Sequence, residues 1–205
     1  MNQVIFIEKK DFKIQKKIAN NKEYNLFLID ALYDDTDLKI NLNLENNCKT
    51  QVIISILNKQ NFNKNYFINV NHNGNNSQSK CEVYCVGNGK SYSKINLLAK
   101  IDGKSFGNNC SQMIKGILVS QDSKIEGEPN LIIDTNNVKA KHALAIGKLN
   151  LNHLFYLQAK GISKKEAIEL LLLSYFNVVL SKIENEAKRN KLTDFVLDQI
   201  GSVEI

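Results

Sequence analysis

The sequence predicts a mainly β protein made of short, regularly spaced strands and followed by a helical C-terminal segment. Alternating apolar and polar runs recur about every 12–19 residues over roughly the first 140 positions. No helical periodicity precedes His153, whereas long helical runs follow it. Even spacing of short strands is typical of a sandwich, a barrel or a β-solenoid. The Asn-rich turns between the runs favour the solenoid, because stacked side-chain amides hydrogen-bond from coil to coil.

The strands are predicted from apolar residues that share one face. In LKINLNLEN, the residues Leu38, Ile40, Leu42 and Leu44 point to one side of a strand. The sequence GNGKS at Gly89 is a turn and not a phosphate loop, because no long helix follows it. The predicted strands are residues 4–7, 24–29, 38–44, 51–57, 66–71, 81–86, 93–100, 111–119, 131–134 and 138–141.

The C-terminal segment carries helix-start signals. Asn150 is a predicted N-cap for residues 151–160, and Gly161 suits the position after the helix end. Ser163 and Glu166 fit a capping box for a long helix over residues 164–189, apolar on more than one face. Such a helix is buried or docks a partner. A last helix is predicted over residues 194–199, and the chain divides into residues 1–148 (solenoid) and 149–205 (helical).

Composition limits the classes of partner. The chain has 205 residues and a net charge of +6, but its lysines are spread out and arginine is almost absent, Arg189 being the clear case. We expect no nucleic-acid partner, because no groove-entering motif accompanies this charge. No apolar run approaches the roughly 20 residues that span a bilayer. The first residues show neither a basic region nor a cleavage site, so we expect a soluble cytoplasmic protein with reduced cysteines.

The cysteines show no metal-site spacing. Cys81 and Cys85 share one strand face about 13 Å apart, too far to ligate one ion, and we expect them to pack inward. Cys110 lies near a predicted turn and is either a reactive exposed thiol or an inert cysteine. Cys48 completes the set, and there is no C-x-x-C pair.

His142 is the main candidate for a functional side chain. Lys139 and Lys141 flank it and favour its neutral form, which is a competent iron ligand. His72, in an Asn-rich loop, and His153, in the first turn of a helix, are weaker candidates. The sequence shows no catalytic triad, paired carboxylates or nucleotide fingerprint. A β-solenoid enzyme or ligand-binding module would need such a cluster.

Residues 115–162 resemble the core of the SufB/SufD family of iron–sulfur cluster assembly scaffolds. KGILVSQDSKIEGEPNLII is similar to the family's strand-turn-strand with its Pro-x-Leu pattern. VKAKHALAIGKLN resembles its Val-Lys-x-x-His-x-Ala-x-x-Gly-x-Leu stretch, and HLFYLQAKGISKKEAIELLL its entry into the C-terminal helices. The resemblance implies a right-handed parallel β-helix followed by a helical domain.

The resemblance also implies partners and a function. The chain is expected to be a non-catalytic scaffold that pairs with a SufB-like paralogue, or with itself, and docks a SufC-like ATPase through its C-terminal helices. No tightly bound cofactor is expected, only transient iron or a nascent iron–sulfur cluster. The candidate docking residues are Leu171, Tyr175, Phe176 and Val179.

Departures from the family pattern favour the SufD type. The SufB cysteine position is Met113 here, and the glutamate that follows the SufB histidine is Ala143. His142 is the matching histidine and the expected cluster or iron ligand. The upstream region is shorter than in typical SufD proteins, which predicts a short-form scaffold. The alternative is a homodimeric SufB-like scaffold that carries the cluster on Cys110 and His142.

Overall fold

The computed structural model describes residues 2–201 and confirms a β-solenoid of about five turns followed by three helices. Met1 and the last four residues of the predicted helical segment lie outside the described residues. The strands are β1 (Asn2–Phe6), β2 (Asp11–Ile18), β3 (Glu23–Asp30), β4 (Thr36–Leu44), β5 (Lys49–Asn58), β6 (Asn63–His72), β7 (Gln78–Gly87), β8 (Tyr92–Ile101), β9 (Asn108–Leu118), β10 (Lys124–Ile133) and β11 (Val138–Lys148). The helices are α1 (Leu151–Ala159), α2 (Lys164–Leu180) and α3 (Glu186–Gly201).

Successive strands alternate between two parallel sheets. The odd-numbered strands form one sheet in the order β1-β3-β5-β7-β9-β11, and the even-numbered strands form the other in the order β10-β8-β6-β4-β2. Each strand inside a sheet therefore pairs with the strands one coil before and one coil after it; Leu26, for example, pairs with Val52. Parallel pairing between successive coils distinguishes the solenoid from an antiparallel sandwich or barrel.

The interior between the two sheets is the main hydrophobic core. Leu38, Ile40, Leu42 and Leu44 of β4 are fully buried there, as their alternation predicts. Cys81 and Cys85 of β7 are both buried in this core, which confirms that they pack inward. Removing these apolar side chains from water supplies the main driving force for coiling the chain.

Asparagines stack along one corner of the solenoid. The side-chain oxygen of Asn20 accepts a hydrogen bond from the Asn46 backbone N–H at 2.9 Å. Asn46 accepts in the same way from Asn75 at 2.8 Å, and Asn75 accepts from Phe106 at 3.0 Å. These bonds satisfy backbone donors that the turns leave unpaired. The Asn46 side-chain amide also donates to Asn20 Oδ1 at 3.3 Å, which confirms the predicted bonds between side-chain amides of successive coils.

The helices cover the outer face of the odd-numbered sheet. Helix α2 crosses β3, β5 and β7, and Phe176 packs with Phe27 and Ile53 in a second hydrophobic core. The Ser55 hydroxyl donates to the backbone oxygen of Tyr175 at 2.7 Å, which ties the helix to β5. This cover explains why β5 is apolar on both faces: one side meets the interior and the other meets α2.

The ends of the helices follow the predicted caps with one exception. The Ser163–Glu166 capping box is present, and Gly161 has a positive φ of 87°. The predicted continuous helix to residue 189 is wrong, because α2 ends at Leu180. The Asn185 side chain then accepts from the Lys188 backbone N–H at 2.9 Å and starts α3. No helix within residues 2–201 has the length and apolar character to cross a bilayer.

Candidate functional site

The C-terminal end of the solenoid is open. Strand β11 pairs with β9 and strand β10 pairs with β8, and no other described strand pairs with either of them. Most side chains of β11 are exposed, in contrast to the preceding strands of the same sheet. Free backbone N–H and C=O groups along two parallel edges are a template for pairing with another chain.

The strand register places His142 at the mouth of the solenoid interior. His142 is in register with Gln112 of β9, which is in register with Cys81 of β7. Gln112 is buried, and its Nε2 donates to the backbone oxygen of Asn130 in the opposite sheet at 3.2 Å. Side chains in this row therefore point inward. His142 is the last member of the row and is exposed.

Cys110 lies on the same inner face as His142. It is in register with Ala140, two residues before His142, so the two Cα atoms are roughly 8 Å apart by sheet geometry. The Cys110 side chain is only 1% exposed and packs with Ala99 and Ile101. Burial raises the pKa of its thiol, and a hydrogen bond with Ser79 opposes this in part. The interpretation of Cys110 as an exposed reactive thiol is therefore wrong for this structure.

These two side chains do not form a complete metal site. Within residues 2–201, no three His, Cys, Asp or Glu side chains converge closely enough to hold a metal ion. Met113 and Ala143 are in register with each other on the opposite face of β9 and β11. On these two strands the row offers no thiolate, imidazole or carboxylate, and the carboxylate nearest along the row is Glu82 of β7. The described residues therefore do not supply a complete ligand set around His142.

His72 was placed by the sequence in an Asn-rich loop, and that placement is wrong. It is the last residue of β6, fully buried, with its Nε2 2.8 Å from the Ser79 hydroxyl. Burial lowers the pKa of His72 to about 4, although a hydrogen bond with Asn108 opposes the shift. The alternation of NYFINVNH would have indicated an inward position for His72.

We expect protein stability to fall as the pH drops below about 6.5, the unfolded-state pKa of histidine. The folded state keeps His72 neutral down to about pH 4, whereas the unfolded state takes up a proton earlier. This uptake favours unfolding by about 2 kcal/mol between pH 6.5 and 5. Urea unfolding at several pH values measures the effect. His72→Gln should flatten the curve over this range, whereas the exposed-histidine control His153→Gln should leave it unchanged; equal slopes in all three proteins would contradict the assignment.

The predicted docking residues are mostly inaccessible. Tyr175, Phe176 and Val179 are buried between α2 and the sheet, and Leu171 is half-buried. A docked protein does not reach the three buried side chains without displacing α2. The exposed large apolar side chains of α1 and α2 are instead Leu151, Phe155, Tyr156 and Leu170. Docking itself stays a prediction, with this exposed set as its surface.

Comparison with known proteins identifies the family. Residues 13–175 match the model described as SUF system FeS cluster assembly, SufBD core domain. SufD of Bacillus subtilis is 25% identical over 133 residues, which are 65% of this chain and 30% of that protein. The chloroplastic protein ABCI7 of Arabidopsis thaliana is 32% identical over 88 residues, 43% of this chain and 18% of that protein.

A third relative is the SufBD family protein ycf24 of Porphyra purpurea, 25% identical over 115 residues, 56% of this chain and 24% of that protein. The matched regions thus span between 18% and 30% of the length of these three relatives. The family match covers most of the solenoid and reaches Tyr175 in α2. The chain therefore belongs to the SufBD family of iron–sulfur cluster assembly proteins.

Proposed function

We propose that this chain is a SufD-type scaffold subunit of an iron–sulfur cluster assembly complex. It pairs with a SufB-type subunit at the open end of the solenoid and docks a SufC-type ATPase on its C-terminal helices. It performs no catalysis itself, since ATP hydrolysis belongs to the docked partner. All four cysteines are free and buried, which fits a reducing compartment, and we propose the cytoplasm.

The observation that carries this proposal is the open end itself. Two neighbouring edge strands, β10 and β11, expose their free backbone groups together with apolar side chains such as Ile132 and Leu144. A paralogue with the same solenoid offers matching edges, and pairing them satisfies the free backbone groups of both chains. The paired strands also bury the exposed apolar residues.

The SufD type is favoured over the SufB type by two positions. Met113 stands where the SufB pattern has a cysteine, and its thioether is a weaker ligand than a thiolate. Ala143 follows His142 in place of a glutamate. The partner subunit then supplies the sulfur ligands, and His142 supplies an imidazole nitrogen from this side of the interface. The iron or nascent cluster is cargo and stays only until transfer.

We expect His142→Ala to abolish most cluster formation in the reconstituted complex while the complex still assembles. The substitution removes an exposed side chain, so the fold and the paired strands remain. Anaerobic addition of iron and sulfide, followed by the visible absorbance of the cluster, measures the outcome. Lys141→Ala, on the neighbouring outward-facing position, is the matched control. Unchanged absorbance with His142→Ala would remove this residue from the mechanism.

A cluster-carrying homodimer is the second candidate, and the shared inner face of Cys110 and His142 is the observation that favours it. The burial of Cys110 argues against it, since a protonated thiol is a poor ligand. Reconstitution of the isolated protein distinguishes the two functions. A stable chromophore that is lost in Cys110→Ser would favour the homodimer.

The docking surface for the ATPase is the exposed apolar set Leu151, Phe155, Tyr156 and Leu170. Phe155 is 74% exposed, and the one buried residue of α1 is its neighbour Leu154. Clustered exposed apolar side chains on neighbouring helices mark a protein interaction site.

We expect Phe155→Asp to abolish capture of the ATPase by a tagged copy of this chain. A buried carboxylate in the docked interface is unpaired and strongly unfavourable. Co-expression with the organism's SufC-like and SufB-like proteins, followed by affinity purification, measures it. Phe106→Asp, at a comparably exposed phenylalanine in the β8–β9 loop, is the control. Removing residues 163–205 entirely is less informative, because α2 covers the sheet. Normal capture by Phe155→Asp would exclude this surface.

A further inference from the structure

The side-chain amide of Gln112 is held at one of its two ends. Gln112 lies in β9 and is 3% exposed, and its Nε2 donates to the backbone oxygen of Asn130 in β10 at 3.2 Å. A carbonyl oxygen accepts from the NH2 group of an amide and not from its oxygen, so this bond fixes which end of the side chain faces β10. The Oε1 atom is consequently directed away from the Asn130 oxygen.

The Gln112 Oε1 atom is a buried acceptor that no described group reaches with a hydrogen bond. Buried polar side-chain atoms in folded proteins are nearly always hydrogen-bonded, because an acceptor removed from water without a donor destabilises the fold. Among the atoms of this kind within residues 2–201, only Gln112 Oε1 belongs to a strand that pairs with β11. It therefore lies one strand away from the open end, where a donor can approach.

Two side chains of the inner face are in register with Gln112, and they differ as donors. Cys81 of β7 is on one side, and His142 of β11 is on the other. The thiol of Cys81 is a weak donor and forms no hydrogen bond with Oε1. The imidazole of His142 is a strong N–H donor, and paired residues on neighbouring strands are about 4.8 Å apart. His142 is therefore the neighbour whose donor matches the free acceptor.

The surroundings of His142 allow its ring to turn toward Gln112. His142 is exposed, because no described strand pairs with β11 on its other edge. Ala140, the inward-facing residue that precedes it, carries only a methyl group and leaves space beside the ring. Exposed side chains change rotamer within picoseconds to nanoseconds, so no large barrier opposes this movement. The hydrogen bond would then satisfy Oε1 without any change in the register of the strands.

We propose that Gln112 is a positioning residue for His142. Its Oε1 accepts from one imidazole N–H, which fixes the tautomer of the neutral ring and leaves the other nitrogen, with its lone pair, directed out of the mouth of the solenoid. Histidines that ligate metals usually hold their second ring nitrogen in this way, and the acceptor orients the ring and raises its basicity. The inference rests on the proposed function, since the outward nitrogen is the one that would meet the cargo iron.

Nuclear magnetic resonance of the full chain, labelled with nitrogen-15 at histidine, measures the tautomer directly. The chain has three histidines, so His→Gln variants assign each signal. At about pH 8, where histidine is neutral, we expect a single tautomer of His142 in the wild type. Gln112→Met keeps the length of the side chain but removes the acceptor, and should give His142 the mixed tautomers of a free histidine. The exposed His153 supplies that reference in the same spectrum.

The matched control is Gln78→Met, at an exposed glutamine at the start of β7, which should leave the His142 tautomer unchanged. Mixed tautomers of His142 in the wild type would overturn the positioning role, whether or not Gln112→Met folds. An unchanged tautomer in Gln112→Met would do the same, even if that variant lost stability, because a purely structural role predicts that result.

A second measurement separates this inference from the proposed function. In the reconstituted complex, Gln112→Met should raise the iron concentration needed for half-maximal cluster absorbance about tenfold or more, the usual effect of removing the acceptor behind a ligating histidine. Full cluster formation by His142→Ala would refute the ligand role of His142, but the tautomer spectra would still decide whether Gln112 holds its ring. Wild-type iron dependence in Gln112→Met, with His142→Ala inactive, would overturn the positioning role alone.

Discussion

We expect Lys64→Met to lower the free energy of unfolding by about 3–5 kcal/mol, the usual cost of leaving a buried charge without its partner. The Lys64 Nζ lies 2.7 Å from Asp30 Oδ1, and both side chains are fully buried. Asp30 ends β3 and Lys64 lies near the start of β6, so the pair joins two successive coils. Urea unfolding followed by circular dichroism measures the loss.

The neighbours of this ion pair explain why its disruption is costly. Asp30 also accepts hydrogen bonds from the Tyr66 hydroxyl and from the Leu32 backbone N–H, the latter at 3.0 Å. Lys64 donates in addition to the Leu32 backbone oxygen at 2.9 Å. Removing the ammonium leaves the buried Asp30 carboxylate with neutral donors only, so no cation balances its charge.

Two controls separate charge burial from loss of side-chain contacts. The double variant Asp30→Leu with Lys64→Met removes both charges and should recover much of the loss, because the penalty comes from the unpaired partner. Lys10→Met breaks an exposed pair with Asp34, at 2.8 Å, and should change stability far less than Lys64→Met does, because solvent screens the exposed charges. A loss in Lys64→Met no larger than that in Lys10→Met would contradict the prediction.

The second large effect is expected at the open end of the solenoid, in Leu144→Lys. Leu144 is in register with the fully buried Ile114, yet it is 50% exposed because no described coil follows it. A Cβ atom at Gly127 would lie 2.6 Å from Leu144 Cδ1, so this side chain reaches across the mouth toward β10. A paired subunit would complete its burial. A lysine there carries an unpaired charge into the covered interface.

We expect Leu144→Lys to weaken association with the proposed SufB-type partner about 30-fold or more, the effect of losing an interface hot spot. Co-purification and analytical ultracentrifugation of the co-expressed proteins measure it. Phe67→Lys is the control, since Phe67 is an exposed apolar residue on β6, which is paired on both edges. Circular dichroism should be native for both variants. Wild-type association of Leu144→Lys would place the partner elsewhere.

Sequence patterns located best the strands that pair with another strand on both edges. Strand β4 lies between β2 and β6, its inner residues are fully buried, and its alternation is strict. Strand β2 was missed because it is an edge strand whose only apolar inner residues, Phe12, Ile14 and Ile18, stand among lysines. Lysines protect an edge from further pairing, and the same lysines obscure the β pattern.

Strand β10 was located only at its end. Residues 131–134 were predicted, but the strand begins at Lys124 and includes Pro129. Proline normally argues against a strand, because it lacks the N–H that a ladder requires. Here it is tolerated since β10 is an edge strand with a single neighbour, β8. Whether a strand is at an edge depends on the order of coils, which local sequence does not contain.

The sequence by itself determined the β-rich N-terminal region and the helix caps at Asn150 and Ser163, and its resemblance to a family made His142 the candidate ligand. These features depend on residues close together in the chain, so short-range periodicity and hydrogen bonding encode them. Only the tertiary structure decided that Cys110 is buried and that His142 faces the interior. It also decided that Tyr175 and Phe176 lie on the face of α2 that packs against the sheet and not on its exposed face. Each of these depends on contacts between coils about 30 residues apart or between a helix and the sheet, and burial is a property of all the surrounding elements together.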